Sequence, residues 1–451
     1  QLSVLSEIAR KKNIPILVGG IHPTIIGGRL LEENPDIDYL CIGEGESFVA
    51  EFLENFGKPS LYDVKNLAYR RDGRVVVNPL RPVEDLAKLP PFPWHFFPKE
   101  AVIQEGQGFI YVTATRGCPY DCAYCANGVY LRMYKKSYLR CRPIPDVIEE
   151  LKSLNEKFSP RLFYFGDEMI LMNKDYAAGL FGALKRELNI PYGCMVRVEH
   201  INPEVVEILK DTGCEYIGMG VECGDEEFRK KQLYRMMSNK QIEDAFGLVK
   251  EAGIFVTSFN MIGYPFDNDD YLTEKTAELT KKISPNYVQF SIFYPIPGTK
   301  LYRRCVELDL IDKEKLEQAK DYFTDSVLKG VSLKGKLKEL NALFNPLGFQ
   351  FTIRPVMELD RFKKLIEKKK WESVEKAYLQ AIENIKSLEG LLVETRGKFL
   401  ESSERVDGLN ELLEKKEAAR EGAEKAVQEA RGVIGGLEGG IARLNGLLEE
   451  K

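Results

Sequence analysis

At 451 residues the chain is too long for one ordinary domain and predicts two or three. A hydrophobic content of 44% can build a sizeable core, and a net charge of −5 offers no basic face for nucleic acid, so no nucleic-acid partner is expected. There is no uninterrupted apolar run of about 18 residues, so no membrane span is predicted; nine cysteines without a secretory leader suggest a reducing, cytoplasmic setting.

The chain opens at Gln1 inside an amphipathic pattern, as a piece trimmed from a longer protein would. Residues 1–12 predict a helix with Leu2, Leu5, Ile8 and Ala9 on one face. Ile16-Leu17-Val18 reads as a buried parallel strand ending at Gly19-Gly20, and Leu30 and Leu31 sit in a short helix. A second strand over 38–43 ends at Glu44-Gly45-Glu46, and a helix follows to about residue 56. This alternation predicts part of a doubly wound, Rossmann-like α/β domain over 1–60, with ligands at the carboxyl ends of its strands. Tight turns in a plain packing domain would also use such glycine pairs. Between 61 and 105, two short strands at 66–70 and 74–77 are joined by Asp72-Gly73, a hairpin signal. Leu89-Pro90-Pro91-Phe92-Pro93-Trp94 then forms a linker that cannot be helical.

From 106 to 300, apolar runs recur at 109–114, 161–166, 191–197, 215–221, 254–262 and 286–293, with helical patterns such as 147–154 and 242–252 between them. Six such units predict a (β/α)6 partial barrel whose active face lies at the strand carboxyl ends. Candidate binding residues fall at those ends: Gly166-Asp167-Glu168, Arg197, Glu222 within Gly220-Val221-Glu222-Cys223-Gly224, and Gly263 after Met261-Ile262. A glycine admits close approach of a ligand, carboxylates pair with an amino group or hydroxyls, and an arginine meets an anion. Each has a plainer alternative: a turn, a helix-capping acid or an ordinary ion pair.

Cys118-Pro119-Tyr120-Asp121-Cys122-Ala123-Tyr124-Cys125 follows the first of these runs and can turn three thiols toward one metal centre. A structural zinc would need a fourth ligand, and no second cysteine pair follows; the histidines, His22, His95 and His200, are far along the chain. Three cysteines also do not make a paired disulfide set. A four-iron cluster held by three thiolates fits better, because it leaves one iron open.

This CxxxCxxC pattern, with an aromatic residue before its last cysteine, resembles the signature of radical S-adenosylmethionine (SAM) enzymes. The resemblance implies that Cys118, Cys122 and Cys125 ligate a 4Fe-4S cluster whose open iron chelates SAM, and that one electron cleaves SAM to a 5′-deoxyadenosyl radical. It implies a SAM site made by Tyr124, Gly166, Asp167, Glu168, Arg197, Glu222 and Gly263. Gly220-Val221-Glu222-Cys223-Gly224 resembles the family's ribose-binding G-x-E-S-G segment with Cys223 in place of serine, and Tyr294-Pro295-Ile296-Pro297-Gly298-Thr299 resembles its closing P-x-P-G-T turn. Gly19-Gly20-Ile21-His22-Pro23 and Ile42-Gly43-Glu44-Gly45-Glu46 resemble the second half of the cobalamin-binding domain that precedes many of these enzymes, which implies Gly19 and Gly20 near cobalamin; the D-x-H-x-x-G loop of that domain is absent from this chain.

Residues 301–372 read as a C-terminal extension of mixed helix and loop. Over 373–451, apolar residues such as Ile385, Leu388, Leu392, Phe399 and Val406 recur at steps of three and four, interrupted by Thr395, Ser402, Lys416 and Arg420. That period predicts a coiled coil and, through it, homo-oligomerisation, against a helix folded back on the catalytic part. Together the readings predict cobalamin-dependent methylation of an unactivated carbon in a small molecule, with an electron donor such as ferredoxin or flavodoxin. Radical rearrangement, cyclisation or sulfur insertion without methyl transfer is the alternative, and a non-catalytic coiled-coil scaffold is another.

Overall fold

The computed structural model describes residues 8–98, 108–318 and 323–344. The chain divides into two units, Gln1–Met357 and Glu358–Lys451, and every described residue belongs to the first. The predicted coiled coil over 373–451 and most of the opening helix lie outside the described residues; that helix is seen only over 8–11. Among the described residues no helix is long and apolar enough to cross a membrane.

Two sheets carry the architecture. The first comprises β1 (Leu17–Val18), β2 (Tyr39–Cys41), β3 (Leu67–Arg71) and β4 (Arg74–Val77), hydrogen-bonded in that order. β1 and β2 are parallel and are connected through helices Ile21–Ile26 and Arg29–Glu33. The hairpin turn forms at Asp72-Gly73, both with positive φ (50° and 73°), the backbone that a two-residue turn between twisted strands requires. The hairpin, expected from sequence within a 61–105 linker segment, is instead hydrogen-bonded to β2, with Cys41 opposite Leu67. The reason is burial: Leu67 and Tyr69 close over the same apolar cluster as Phe48 and Phe52 of helix Glu46–Asn55.

The second sheet is wholly parallel: β5 (Phe109–Val112), β8 (Leu162–Phe165), β9 (Tyr192–Val196), β10 (Cys214–Glu222), β11 (Phe255–Ile262) and β12 (Tyr287–Ile292) lie side by side in sequence order. This is the partial barrel expected from the six apolar runs. Its strands read as continuous apolar stretches because they are covered on both faces; every residue of β8 is buried. Helices Ile144–Phe158, Lys174–Glu187, Pro203–Asp211, Asn239–Glu251 and Asp269–Ile283 supply the covering layer, with Leu151, Phe181, Leu209 and Phe246 fully buried against it. Their starts are set by local chemistry: Asn173 and Asn202 accept from the third amide beyond, and Ser238 with Gln241 forms a capping box.

A third, two-stranded ribbon pairs β6 (Thr115–Arg116) with β7 (Arg140–Cys141). It closes the base of the 117–139 excursion, which carries the cysteine motif and helix Asn127–Tyr134. The proline-rich segment is strapped to the barrel by its end: Trp94 Nε1 donates to Glu150 Oε1 (2.7 Å) and Lys157 Nζ donates to the Trp94 carbonyl (2.9 Å).

Candidate active site

The carboxyl ends of the parallel strands gather the candidate residues. Gly166 follows β8, Arg197 follows β9, Glu222 ends β10 and Gly263 follows β11, while the cysteine loop springs from the ribbon after β5. Parallel strands in sequence order bring these residues, 25 to 41 positions apart, to one edge, which is how scattered motifs become one site.

The cysteine loop is pinned at its centre. Ala123, between Cys122 and Tyr124, donates its amide to the Leu233 carbonyl (3.0 Å) and accepts from the Leu301 amide (3.0 Å). The loop after β10 and the helix after β12 therefore grip the motif from two sides. Gly117, at the loop's entrance, has φ 102°, and a Cβ there would stand 2.5 Å from the Tyr138 carbonyl oxygen, so only glycine fits. Cys118 and Cys122 are buried and Cys125 is half-buried. Burial pushes the Cys118 thiol up and the Cys125 thiol up to about 11, so without a cationic partner both stay protonated. Among the described residues no three His, Cys, Asp or Glu side chains converge on a single-ion site; a cluster with one iron per thiol does not require that convergence. The donor set fits such a cluster.

Arg197 lies against this loop. Its Nη1 donates to Cys122 Sγ (3.2 Å), its Nη2 donates to Glu199 Oε1 (2.5 Å), and the guanidinium sits 3.7 Å from the centre of the Tyr120 ring. Tyr120 in turn shares a hydrogen bond with His200 Nε2 (2.8 Å). Arg197 is 7% exposed, yet its Nε and the second oxygen of Glu199 have no protein partner. Buried polar atoms are almost always satisfied, so these orphans are groups that a polar ligand would satisfy.

Glu222 is placed by a bulge. The register of β10 against β11 shifts between Gly220 and Glu222, and Glu222 takes a left-handed backbone (φ 67°) that re-aims its side chain. Arg235 accompanies it: Nη1 reaches Glu222 Oε1 (3.5 Å) and the Tyr124 hydroxyl (3.3 Å), and Nη2 donates to the Gly220 carbonyl (2.6 Å). Tyr124 and Glu222 are thus joined through one buried cation whose Nε is also without a partner. Sequence reasoning missed Arg235, which stands 13 residues past Glu222 in no recognisable motif.

Asp167 and Glu168 divide their work. Asp167 Oδ1 accepts from the amides of Ala114 (2.9 Å) and Thr115 and from the Thr115 hydroxyl (2.6 Å). It caps the end of β5 rather than a helix. Burial, opposed by these hydrogen bonds, pushes its carboxyl up to about 6, and Oδ2 is left without a partner. Glu168 is exposed, with Oε2 accepting from the Gly117 amide (3.3 Å). Gly166 is exposed and lines a cavity of about 1210 Å³ walled by Ala50, Pro91, Trp94 and Tyr111; a Cβ there would meet only the Val112 carbonyl oxygen, at 3.9 Å. Gly263 has φ 78°, and its amide and that of Tyr264 donate to Asp269 Oδ1 (both 2.9 Å).

Gly19 and Gly20 are exposed at the carboxyl end of β1. Thr24 links them to the next strand end, donating to the Gly20 carbonyl (2.6 Å) and accepting from the Gly43 amide (2.9 Å).

The family model described as "Radical SAM superfamily" matches residues 112–279. The chain is 27% identical over 312 residues to an uncharacterized methyltransferase of Pyrococcus horikoshii, covering 68% of this chain and 67% of that protein. It is 24% identical over 330 residues to the anaerobic magnesium-protoporphyrin IX monomethyl ester cyclase of Rubrivivax gelatinosus, covering 68% of this chain and 57% of that protein. The chain thus spans 57% to 67% of the length of these two relatives. Among solved structures, the radical SAM methyltransferase TsrM of Kitasatospora setae superimposes with a TM-score of 0.56 at 17% identity, over 67% of this chain and 61% of that one. The cobalamin-dependent SAM radical enzyme OxsB does so with a TM-score of 0.52 at 16% identity, over 84% of this chain and 60% of that one. These superpositions share the fold of the open parallel sheet. The domain match takes in the cysteine loop and four of the six strands, so residues 112–279 are identified as a radical SAM domain.

Proposed function

We propose that this chain is a radical SAM enzyme that methylates an unactivated carbon of a small molecule with the help of cobalamin. The observation that carries the reading is the meeting of Arg197 with Cys122 at the strand edge, beside buried polar atoms that the protein leaves unsatisfied. When bound, a 4Fe-4S cluster supplies the electron for cleaving SAM to a 5′-deoxyadenosyl radical, and cobalamin supplies a transferable methyl group.

The chain's own residues take the following parts. Cys118, Cys122 and Cys125 hold the cluster. Arg197 receives the SAM carboxylate on its free Nε edge while Glu199 and Tyr120 keep the guanidinium in plane. Glu168 is the carboxylate for the SAM amino group, because one oxygen of Asp167 is already committed to Ala114 and Thr115. Glu222 takes the ribose hydroxyls, with Tyr124, Gly166 and Gly263 bounding the nucleoside. Gly19 and Gly20 lie toward cobalamin, and the cavity beside Gly166 gives the substrate a largely apolar space flanked by Pro91 and Trp94. The electron comes from a small donor such as ferredoxin or flavodoxin, and the protein acts in the cytoplasm.

Anaerobic reconstitution tests the cluster first. The protein should take up about four irons and four sulfides per chain, and SAM should change the electron paramagnetic resonance spectrum of the reduced form. A Cys122→Ala protein that binds the same iron and responds equally to SAM would refute the assignment. The cyclase name of one relative favours a second reading, in which the same radical step drives ring closure without methyl transfer; products lacking a methyl gain would select it.

A further inference from the structure

The Gly43-Glu44-Gly45-Glu46 turn lies far in sequence from the cysteine loop, yet its second residue touches both strands of the ribbon at that loop's base. Glu44 Oε1 accepts from Arg140 Nη2 (2.5 Å) and Arg116 Nη1 (3.2 Å); Oε2 accepts from Arg140 Nη1 (2.9 Å) and from the Glu84 amide (2.6 Å). Arg116 stands two residues before Cys118, and Arg140 pairs with it across the ribbon. Glu44 and Arg140 are 12% and 13% exposed, so this two-pronged clasp is shielded from solvent. Burial raises the Glu44 carboxyl, but hydrogen bonds from Arg140 and the Glu84 amide overcome it, and the net shift is downward. The backbone is fixed as well: Asn66 Nδ2 donates to the Glu44 carbonyl (3.0 Å). One residue earlier, Gly43 leaves no room for a Cβ against the hydroxyl of Tyr134, which ends the helix that follows the cysteines. Both limbs of the 117–139 excursion therefore rest on Gly43-Glu44.

We propose that Glu44 is a positioning residue: by clasping Arg140 and Arg116 it makes the N-terminal sheet set the seat of the Cys118–Cys125 loop. The contact is direct, between groups 96 and 72 residues apart. An event at the carboxyl ends of β1 and β2 reaches the cysteine loop through this carboxylate, beside the more exposed contact of Glu46 with Arg116, with no need to move the barrel strands. The consequence for SAM rests on the function proposed above; the mechanical link does not.

Hydrogen exchange on the full chain tests the link without any cluster. In Glu44→Gln, amides of peptides spanning 113–118 and 138–142 should exchange about tenfold faster, while peptides from β8 to β11 keep their protection. Arg140→Gln should give the same pattern, and the double variant should be no faster than either single one, as partners in one contact behave. Arg140→Lys, which keeps the charge but loses the two-pronged fit, replaces these variants should they fail to fold. Glu46→Gln, which touches only Arg116 at a half-exposed position, should change ribbon exchange by less than about twofold. Unchanged ribbon exchange in folded Glu44→Gln, or an equal loss of protection through β8 to β11, would overturn the proposal. In reconstituted protein, Glu44→Gln should need about tenfold more SAM for the same spectral change, with iron content kept. A wild-type protein that takes up no iron would remove the proposed function and leave the exchange result to decide the clasp.

Discussion

Arg197 Nη1 donates to Cys122 Sγ at 3.2 Å while its ring partner Tyr120 holds the guanidinium from below, 3.7 Å away. A charged donor thus rests on a proposed cluster ligand, with its Nε unsatisfied and buried. Arg197→Gln removes the charge and the fork but keeps an amide. The dissociation constant for SAM should rise about ten- to a hundredfold, the worth of a hydrogen bond to a charged group, with iron content within error of wild type. Titration of the SAM-induced spectral change measures this; loss of iron with unchanged SAM affinity would place Arg197 in cluster binding instead.

Gly117 opens the cysteine loop at φ 102°, facing the Tyr138 carbonyl. Gly117→Ala forces a side chain into a left-handed backbone and onto a main-chain oxygen. It should destabilise the protein by about 1–3 kcal/mol, and the reconstituted cluster should be lost faster to a chelator. Denaturant midpoints and iron-release rates check the two parts.

The six strands of the barrel were legible because buried parallel strands leave continuous apolar runs, and each run from Phe109 to Ile292 became a strand. The cysteine loop was legible from its spacing, and Asp72-Gly73 from turn chemistry. What no local pattern shows is which distant charges pair. Arg235 meets Tyr124 across 111 residues and Glu44 meets Arg140 across 96, and both arginines look in sequence like ordinary surface residues. The pairing of β3 with β2 was hidden for the same reason, since a hairpin's outer edge carries no local sign of its neighbour.

Arg235 joins Glu222, Tyr124 and the Gly220 carbonyl while only 5% exposed. Arg235→Met leaves Glu222 without its cation. Stability should fall by about 3 kcal/mol, the low end for breaking a buried pair, given the 3.5 Å separation. Arg235→Lys should recover part of this, reaching one acceptor but not three. Urea denaturation of the cluster-free protein reads both; a loss under about 0.5 kcal/mol in the Met variant would show the pair to be idle.

Asp167 carries the pH dependence. Its carboxyl is pushed from 3.8 up to about 6 by burial, so between those values the folded protein holds a proton that the unfolded chain has released. Its contribution to stability is fully present below about pH 4 and is lost as pH rises through about 6, a total of about 3 kcal/mol. Wild type should therefore lose stability relative to Asp167→Asn as pH rises through that window. Parallel profiles for the two proteins would show that Asp167 does not titrate there.

Radical cleavage of SAM is read out by anaerobic turnover. Reconstituted protein is given SAM, methylcobalamin and a strong reductant, and products are followed by mass spectrometry. Wild type should yield 5′-deoxyadenosine and Cys122→Ala none, with S-adenosylhomocysteine formed only when cobalamin is present. Protein that carries its cluster and yields neither product would contradict it.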